Sequence, residues 1–339
     1  MRRDNEGVNS RAPAPPPPGG GGCPGDDGED GEDALLAALT PAPLLPSPLQ
    51  EIDDERFARR GVRLLLKRDD LIHPSLPGNK WRKLAPNLRA ALDRGAGTLL
   101  TFGGAYSNHL RATAAAGRML QLATIGVVRG DELAGRPLNS SLALCAADGM
   151  RLHFISRAAY RRRTDPDFLA QLPAHLGGAG GRGVFLIPEG GSNSLAVQGC
   201  TALGNELRDH GDETDLAAVA CGTGGTLAGL AAGLSPRQRA LGIPVLRGGF
   251  LTAEVSGLQR STFGGTRGRW RLDERFHFGG YARGSRELDE FATDFAVRHG
   301  LPRLERIYVA KLLFALTALA GEGAFARAST VTAVVTAHG

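Results

Sequence analysis

LAAVACGTGGTLAGLAAG, residues 216–233, decides how the rest of the chain is read. It carries no charge, and the uncharged run continues to Pro236, long enough to span a bilayer. Its centre, Cys221-Gly222-Thr223-Gly224-Gly225-Thr226, is a turn-forming cluster that would leave backbone polar groups unpaired in lipid. A buried strand, a tight turn and a buried helix account for the stretch instead. Gly222, Gly224 and Gly225 let the backbone turn sharply after the strand. The helix that follows offers free N–H groups and a dipole worth about 0.3–1 kcal/mol to an anion. The segment reads as a phosphate cradle. It is neither a G-x-x-x-x-G-K-[ST] loop, since no Lys follows, nor a clean G-x-G-x-x-G fingerprint, and by itself a turn needed only for strand-to-helix packing explains it equally well.

Working outward, the same strand-then-helix pattern recurs. Val62–Leu66, Thr98–Phe102, Ala123–Val128, Arg151–Ile155, Val184–Pro188, Leu216–Ala220 and Thr330–Val335 read as strands, with Ala-rich or amphipathic segments between most of them. That alternation predicts an α/β fold with open, mostly parallel sheets and helices on both faces. Three strands run into Gly-containing turns that open helices: TFGGAYSNHLRATAAAG, IPEGGSNSLAVQG and ACGTGGTLAGL. Ligands collect at the carboxyl ends of strands in such sheets, so three candidate ligand loops come from three strands.

Composition limits the function classes. The chain has 339 residues and is 42% hydrophobic, enough for one large or two ordinary domains with a real core. The net charge of +5 is spread along the chain without interleaved aromatics, which argues against a nucleic-acid partner. Cys23, Cys145, Cys200 and Cys221 show neither a disulfide framework nor metal-ligand spacing, so no metal is expected and a reducing cytoplasm fits best. No apolar stretch follows the N-terminal Met-Arg-Arg before the Pro and Gly runs, so no secretory signal or membrane partner is expected. Residues 1–33 are Pro-rich, then Gly-rich, then acidic, a composition that predicts a disordered tail.

Two further stretches carry reactive groups. PGNKWRKL, residues 77–84, places Lys80 beside Arg82 and Lys83. A Lys that is buried or near other cations can have its pKa lowered to as little as ~5–6, which makes the amine nucleophilic. Alone, the run reads as a solvated basic face at the start of a helix, with Lys83 and Arg89 on that face. GGAYSNHLR, residues 103–111, sets Ser107, Asn108 and His109 near a helix N-terminus, where capping is the ordinary role of such residues.

GNKWRKL, YSNHLRATAAAG, PEGGSN, CGTGGTLAG and IYVAKLLFAL, in that order from about residue 40 to the C-terminus, resemble the 1-aminocyclopropane-1-carboxylate deaminase and D-cysteine desulfhydrase family. The resemblance implies a two-domain pyridoxal 5'-phosphate enzyme of fold type II, the tryptophan-synthase-β-like fold. Residues 34–82 and 190–339 would form the large domain and 83–189 the small one, with the cofactor between them. It implies further that Lys80, in a loop, binds the cofactor covalently and later moves protons. Asn108 would lie against the cofactor ring, Ser107 on the substrate side as nucleophile or relay, and His109 beside them in support. Gly222, Thr223, Gly224, Gly225 and Thr226 would hold the phosphate, and Tyr281 and Tyr308 correspond to active-site tyrosines.

Three positions depart from the family pattern. Val309 stands where Thr or Glu would interact with the pyridine nitrogen, and it can neither donate nor accept a hydrogen bond. Tyr106 replaces a Gln before the Ser, either narrowing the pocket or packing beneath the turn. His109 stands where the deaminases have Gln. The absence of Glu at 309, and YSNH where the deaminases have QSNQ, favour a desulfhydrase-type β-elimination from a D-amino acid over cyclopropane ring opening. Val309 itself fits neither pattern and leaves another substrate open, and a cofactor-binding protein of little turnover is the reading from another class. The resemblance also implies a homodimer.

Overall fold

The computed structural model describes residues 35, 39–76, 78–176, 183–210 and 213–337, without side chains at 173–175. The tail expected over 1–33, with Cys23, lies outside the described residues.

The chain builds two sheets. The six-stranded one runs β1 (Leu49–Ile52), β2 (Arg63–Lys67), β10 (Thr330–Val334), β7 (Leu216–Cys221), β8 (Arg239–Pro244) and β9 (Trp270–Leu272). All its pairings are parallel except β1 with β2. The four-stranded one runs β5 (Met150–Ile155), β4 (Ala123–Arg129), β3 (Thr98–Gly103) and β6 (Val184–Ile187), and is parallel throughout.

The seven strands expected from sequence all form, within a residue or two at their ends. The three missed strands lie toward the edges of the six-stranded sheet. β1 is a four-residue antiparallel edge, β9 has three residues, and β8 mixes Gly242 and Pro244 into its apolar run. Their short or interrupted patterns leave little period for a sequence reading to find.

Period-two alternation explains how helices cover both faces of the large sheet. On β7, Ala218 and Ala220 join a core with Phe295, Leu312 and Leu316, which lie on α10 (Arg286–Arg298) and α11 (Val309–Gly321). Ala217, Val219 and Cys221 face the other way, against α7 (Ser194–Asp209) and α8 (Gly225–Gly233). The two helices on that side approach so closely that a Cβ on Gly229 would sit 2.3 Å from the Val197 carbonyl oxygen. The uncharged, Gly-rich stretch is thus a largely buried strand and helix, as its composition implied.

In the small sheet, Leu99 packs with Leu84 and Leu88 of α2 (Lys80–Asp93) and with Ala112 and Ala115 of α3 (Asn108–Met119). Leu100, Phe102 and Ile125 pack on the opposite face with Tyr160 and Leu172. Cys145, Cys200 and Cys221 are buried free thiols. Among the described residues no helix is long and apolar enough to cross a membrane.

Candidate active site

The turn before α2 is fixed by a steric fact. Gly78 has φ +60°, and a Cβ there would overlap the Thr336 carbonyl oxygen at 1.3 Å. The chain therefore passes directly over the segment leaving β10, and only glycine fits. Asn79 follows, donating from Nδ2 to Thr226 Oγ1 at 2.7 Å. Lys80 comes next, as the first residue of α2 rather than in the loop expected for it. Helical bonding begins directly after the turn, since the Lys83 N–H donates to the Asn79 carbonyl at 3.4 Å.

The three cations of GNKWRKL have separate roles. Lys80 is half-buried, with Nζ 3.1 Å from Asn79 Oδ1. Burial, aided by the Lys83 charge, brings its pKa down to about 7. Arg82 is buried and forks onto Asp69 at 2.8 Å and Glu206 at 2.7 Å, and Glu206 also meets Lys67 at 2.6 Å. This network clamps the lysine-bearing helix to the end of β2 and to α7.

Lys83 corrects the sequence reading. It is 4% exposed rather than part of a solvated face. Its Nζ donates to the Gly190 carbonyl at 2.9 Å and to Ser192 Oγ at 3.1 Å, with Thr223 Oγ1 at 3.5 Å. No sequence signal nearby marked it, because its partners are more than a hundred residues away.

The cradle is built as its composition implied. Cys221 ends β7, Gly224 takes φ +80°, and α8 opens at Gly225. No side chain caps α8, so its first-turn N–H groups remain available to an anion. A Cβ on Gly225 would stand 3.0 Å from Ser192 Oγ and 3.2 Å from Lys83 Nζ, so the glycine keeps this space open beside the ammonium. Thr223 also bonds Ser192 through their hydroxyls. A phosphate monoester fits this donor set: a helix N-terminus, two hydroxyls and a buried cation.

β3 delivers the third loop. Ser107 caps α3, its Oγ accepting from the Leu110 N–H at 3.3 Å, and Asn108 begins the helix, half-buried. Tyr106 is 58% exposed, so it does not pack beneath the turn. His109 is buried. The Thr101 hydroxyl donates to the Ile187 carbonyl at 2.8 Å, so its 2.8 Å contact with His109 Nε2 is donated by the ring N–H. Nδ1 then carries the lone pair and has no partner. Burial, together with the Lys80 and Lys83 charges, brings its pKa to about 3, so the ring is neutral at pH 7.

Two tyrosines close the remaining side. Their rings meet edge to face, with centroids 6.3 Å apart. Burial is the main cause that raises the pKa of both hydroxyls. Tyr308 also faces the cradle, since its hydroxyl would be 3.1 Å from a Cβ on Gly222. The loop carrying Tyr281 is held by Lys311, buried on α11, whose Nζ donates to the His277 and Gly280 carbonyls at 2.8 Å each. Glu305 fixes the start of α11 by accepting the Ile307 N–H at 2.8 Å and the Tyr308 N–H at 2.7 Å. Lys311 and Glu305 were not picked out from sequence. Val309 is 1% exposed and packs in the apolar core.

Asn79 thus joins the lysine segment to the cradle, and Lys83, Ser192 and Thr223 join it to the loop after β6. A Cβ on Gly191 would meet His109 Cε1 at 3.1 Å and Lys83 Cβ at 3.6 Å, so the helix that follows Ser107 lies beside them. A nucleophilic amine near neutrality beside a phosphate cradle suits an aldehyde-bearing phosphate ester, the chemistry of pyridoxal phosphate.

Comparison with known proteins agrees. The family described as pyridoxal-phosphate dependent enzyme matches residues 37–337. A Thermotoga maritima protein named "Putative 1-aminocyclopropane-1-carboxylate deaminase" is 37% identical over 195 residues, 57% of this chain and 60% of that one. The "Bifunctional D-cysteine desulfhydrase/1-aminocyclopropane-1-carboxylate deaminase, mitochondrial" of Arabidopsis thaliana is 35% identical over 182 residues, 51% of this chain and 45% of that one. The match therefore spans less than two thirds of either relative's length. A solved structure described as an ACC deaminase homologue superposes with TM-score 0.74 at 27% identity, covering 90% of this chain and 94% of that one. The chain belongs to the pyridoxal-phosphate-dependent enzymes, and pyridoxal phosphate is its cofactor.

Proposed function

We propose that the chain is a lyase of small amino acids that removes a β-substituent from a D-amino acid, with D-cysteine as the substrate. The observation that carries this reading is the Lys80 amine, lowered to about 7, beside a cradle whose far side is the Tyr281–Tyr308 pair. When bound, the cofactor withdraws electrons from the substrate α-carbon. The residues of the chain do the rest. Gly222 to Thr226 and Lys83 would hold the phosphate, and Asn108 would contact the ring. Lys80 would accept the α-proton. Ser107 contacts the carboxylate and relays a proton, while Tyr281 and Tyr308, protonated at neutral pH, supply donors opposite it. The Cβ–S bond breaks with its electron pair leaving on sulfur, so that D-cysteine and one water give pyruvate, ammonia and hydrogen sulfide.

Opening of 1-aminocyclopropane-1-carboxylate to 2-oxobutyrate and ammonia is the second reading, favoured by the names of the relatives. Val309, an apolar core residue, counts against it. The proposal includes a homodimer in a reducing cytoplasm, with residues 83–189 as the small domain; the separate parallel sheet of strands between Thr98 and Ile187 supports a small domain there.

The test is a product assay on the holoenzyme with D-cysteine, L-cysteine and 1-aminocyclopropane-1-carboxylate offered separately. Pyruvate and sulfide from D-cysteine alone support the main reading. 2-Oxobutyrate from the cyclopropane substrate assigns the second instead, and no product from any of the three rejects both.

A further inference from the structure

Arg129 ends β4, beside the strand that leads into Ser107, and its side chain is exposed. A Cβ on Gly104 would lie 3.6 Å from its guanidinium. The Gly104 carbonyl in turn accepts the Ser107 N–H at 3.0 Å. The cation therefore lies over the turn that presents Ser107. Its other contact is the Tyr160 ring, 5.7 Å from the guanidinium carbon.

The carboxylate close by is already engaged. Glu189 accepts from the Tyr160 hydroxyl at 2.7 Å and is ion-paired with Arg163. Among the described residues Arg129 has no carboxylate within ion-pair distance, whereas Arg163, which meets the same Tyr160 ring, does. A planar fork held against an aromatic ring loses little freedom when it takes a carboxylate.

We infer that Arg129 is a specificity-determining residue at the mouth of the site, where it recognises an anionic group of the amino-acid substrate. The inference rests on the amino-acid reading above. Two groups could supply the anion: the α-carboxylate present on every amino acid, or a second acidic group on the side chain.

The test titrates wild-type, Arg129→Gln and Arg129→Lys holoenzymes with D-alanine and D-aspartate, reading Kd from the change in the cofactor's visible absorption. These probes differ by one carboxylate and need no elimination. Loss of the fork is expected to weaken binding about 10- to 100-fold, with partial recovery in the Lys variant. Weakening of both probes assigns the α-carboxylate, and weakening of D-aspartate alone assigns a side-chain anion. Equal Kd values in wild type and Arg129→Gln overturn the inference while leaving the amino-acid reading intact. No spectral response in the wild type overturns both.

Discussion

Asn79 donates to Thr226 Oγ1 at 2.7 Å, joining the residue before Lys80 to the second residue of the phosphate-facing helix. The bond spans 147 positions of sequence and sets the distance between amine and cradle. Asn79→Ala leaves the buried Thr226 hydroxyl without this partner. Cofactor affinity is expected to fall about tenfold, with stability lowered by about 1–3 kcal/mol. Equilibrium dialysis checks the first, urea unfolding of the apoprotein the second.

Arg82 makes a stability prediction. It is 3% exposed, and its loss leaves, among the described residues, Ser47 as the side-chain partner of Asp69 and Ser47 and Lys67 as the partners of Glu206. Arg82→Met is expected to destabilise the fold by about 3–5 kcal/mol, because it strands buried carboxylates. Urea unfolding of both proteins gives the difference.

Lys80 sets a pH dependence. Its pKa of about 7 lies below the usual lysine value, so the neutral amine grows as pH rises through 7. Stopped-flow mixing of apoprotein with pyridoxal phosphate should show a capture rate that rises roughly tenfold per pH unit below about 6 and levels above about 8. A rate still climbing at pH 9 would mean an unperturbed lysine.

Lys311 acts through Tyr281. Its two bonds, to the His277 and Gly280 carbonyls, place the tyrosine against Tyr308. Lys311→Met and Tyr281→Phe should each lower kcat about 10- to 100-fold, and the double variant should be little worse than either alone. Additive losses in that cycle would reduce Lys311 to a general stabiliser.

Much of this was legible in the sequence because the signals are local. A strand, a Gly-rich turn and a helix can be read from adjacent residues, and the seven strands expected all form. Ser107 is a cap on any reading of its neighbours. What escaped was long-range. Lys83 reads as surface because its partners Gly190, Ser192 and Thr223 lie on other loops. Arg82 reads as a third surface cation because Asp69 and Glu206 close its network only in the fold. Lys311 and Glu305 are ordinary members of an amphipathic segment until the Tyr281 loop is folded against them. Arg129 is the exposed end of a strand whose middle residues are buried, and only the sheet order β5-β4-β3-β6 brings it over Gly104.

The central claim is that Lys80, and not Lys83 three residues on, holds the cofactor. Borohydride reduction of the holoenzyme, followed by proteolysis and mass spectrometry, tests it directly. The account predicts the reduced cofactor adduct on Lys80, and its absence from a Lys80→Ala variant that remains folded, since Ala suits the first helical position. An adduct on Lys83, or on any lysine outside residues 77–84, would contradict it.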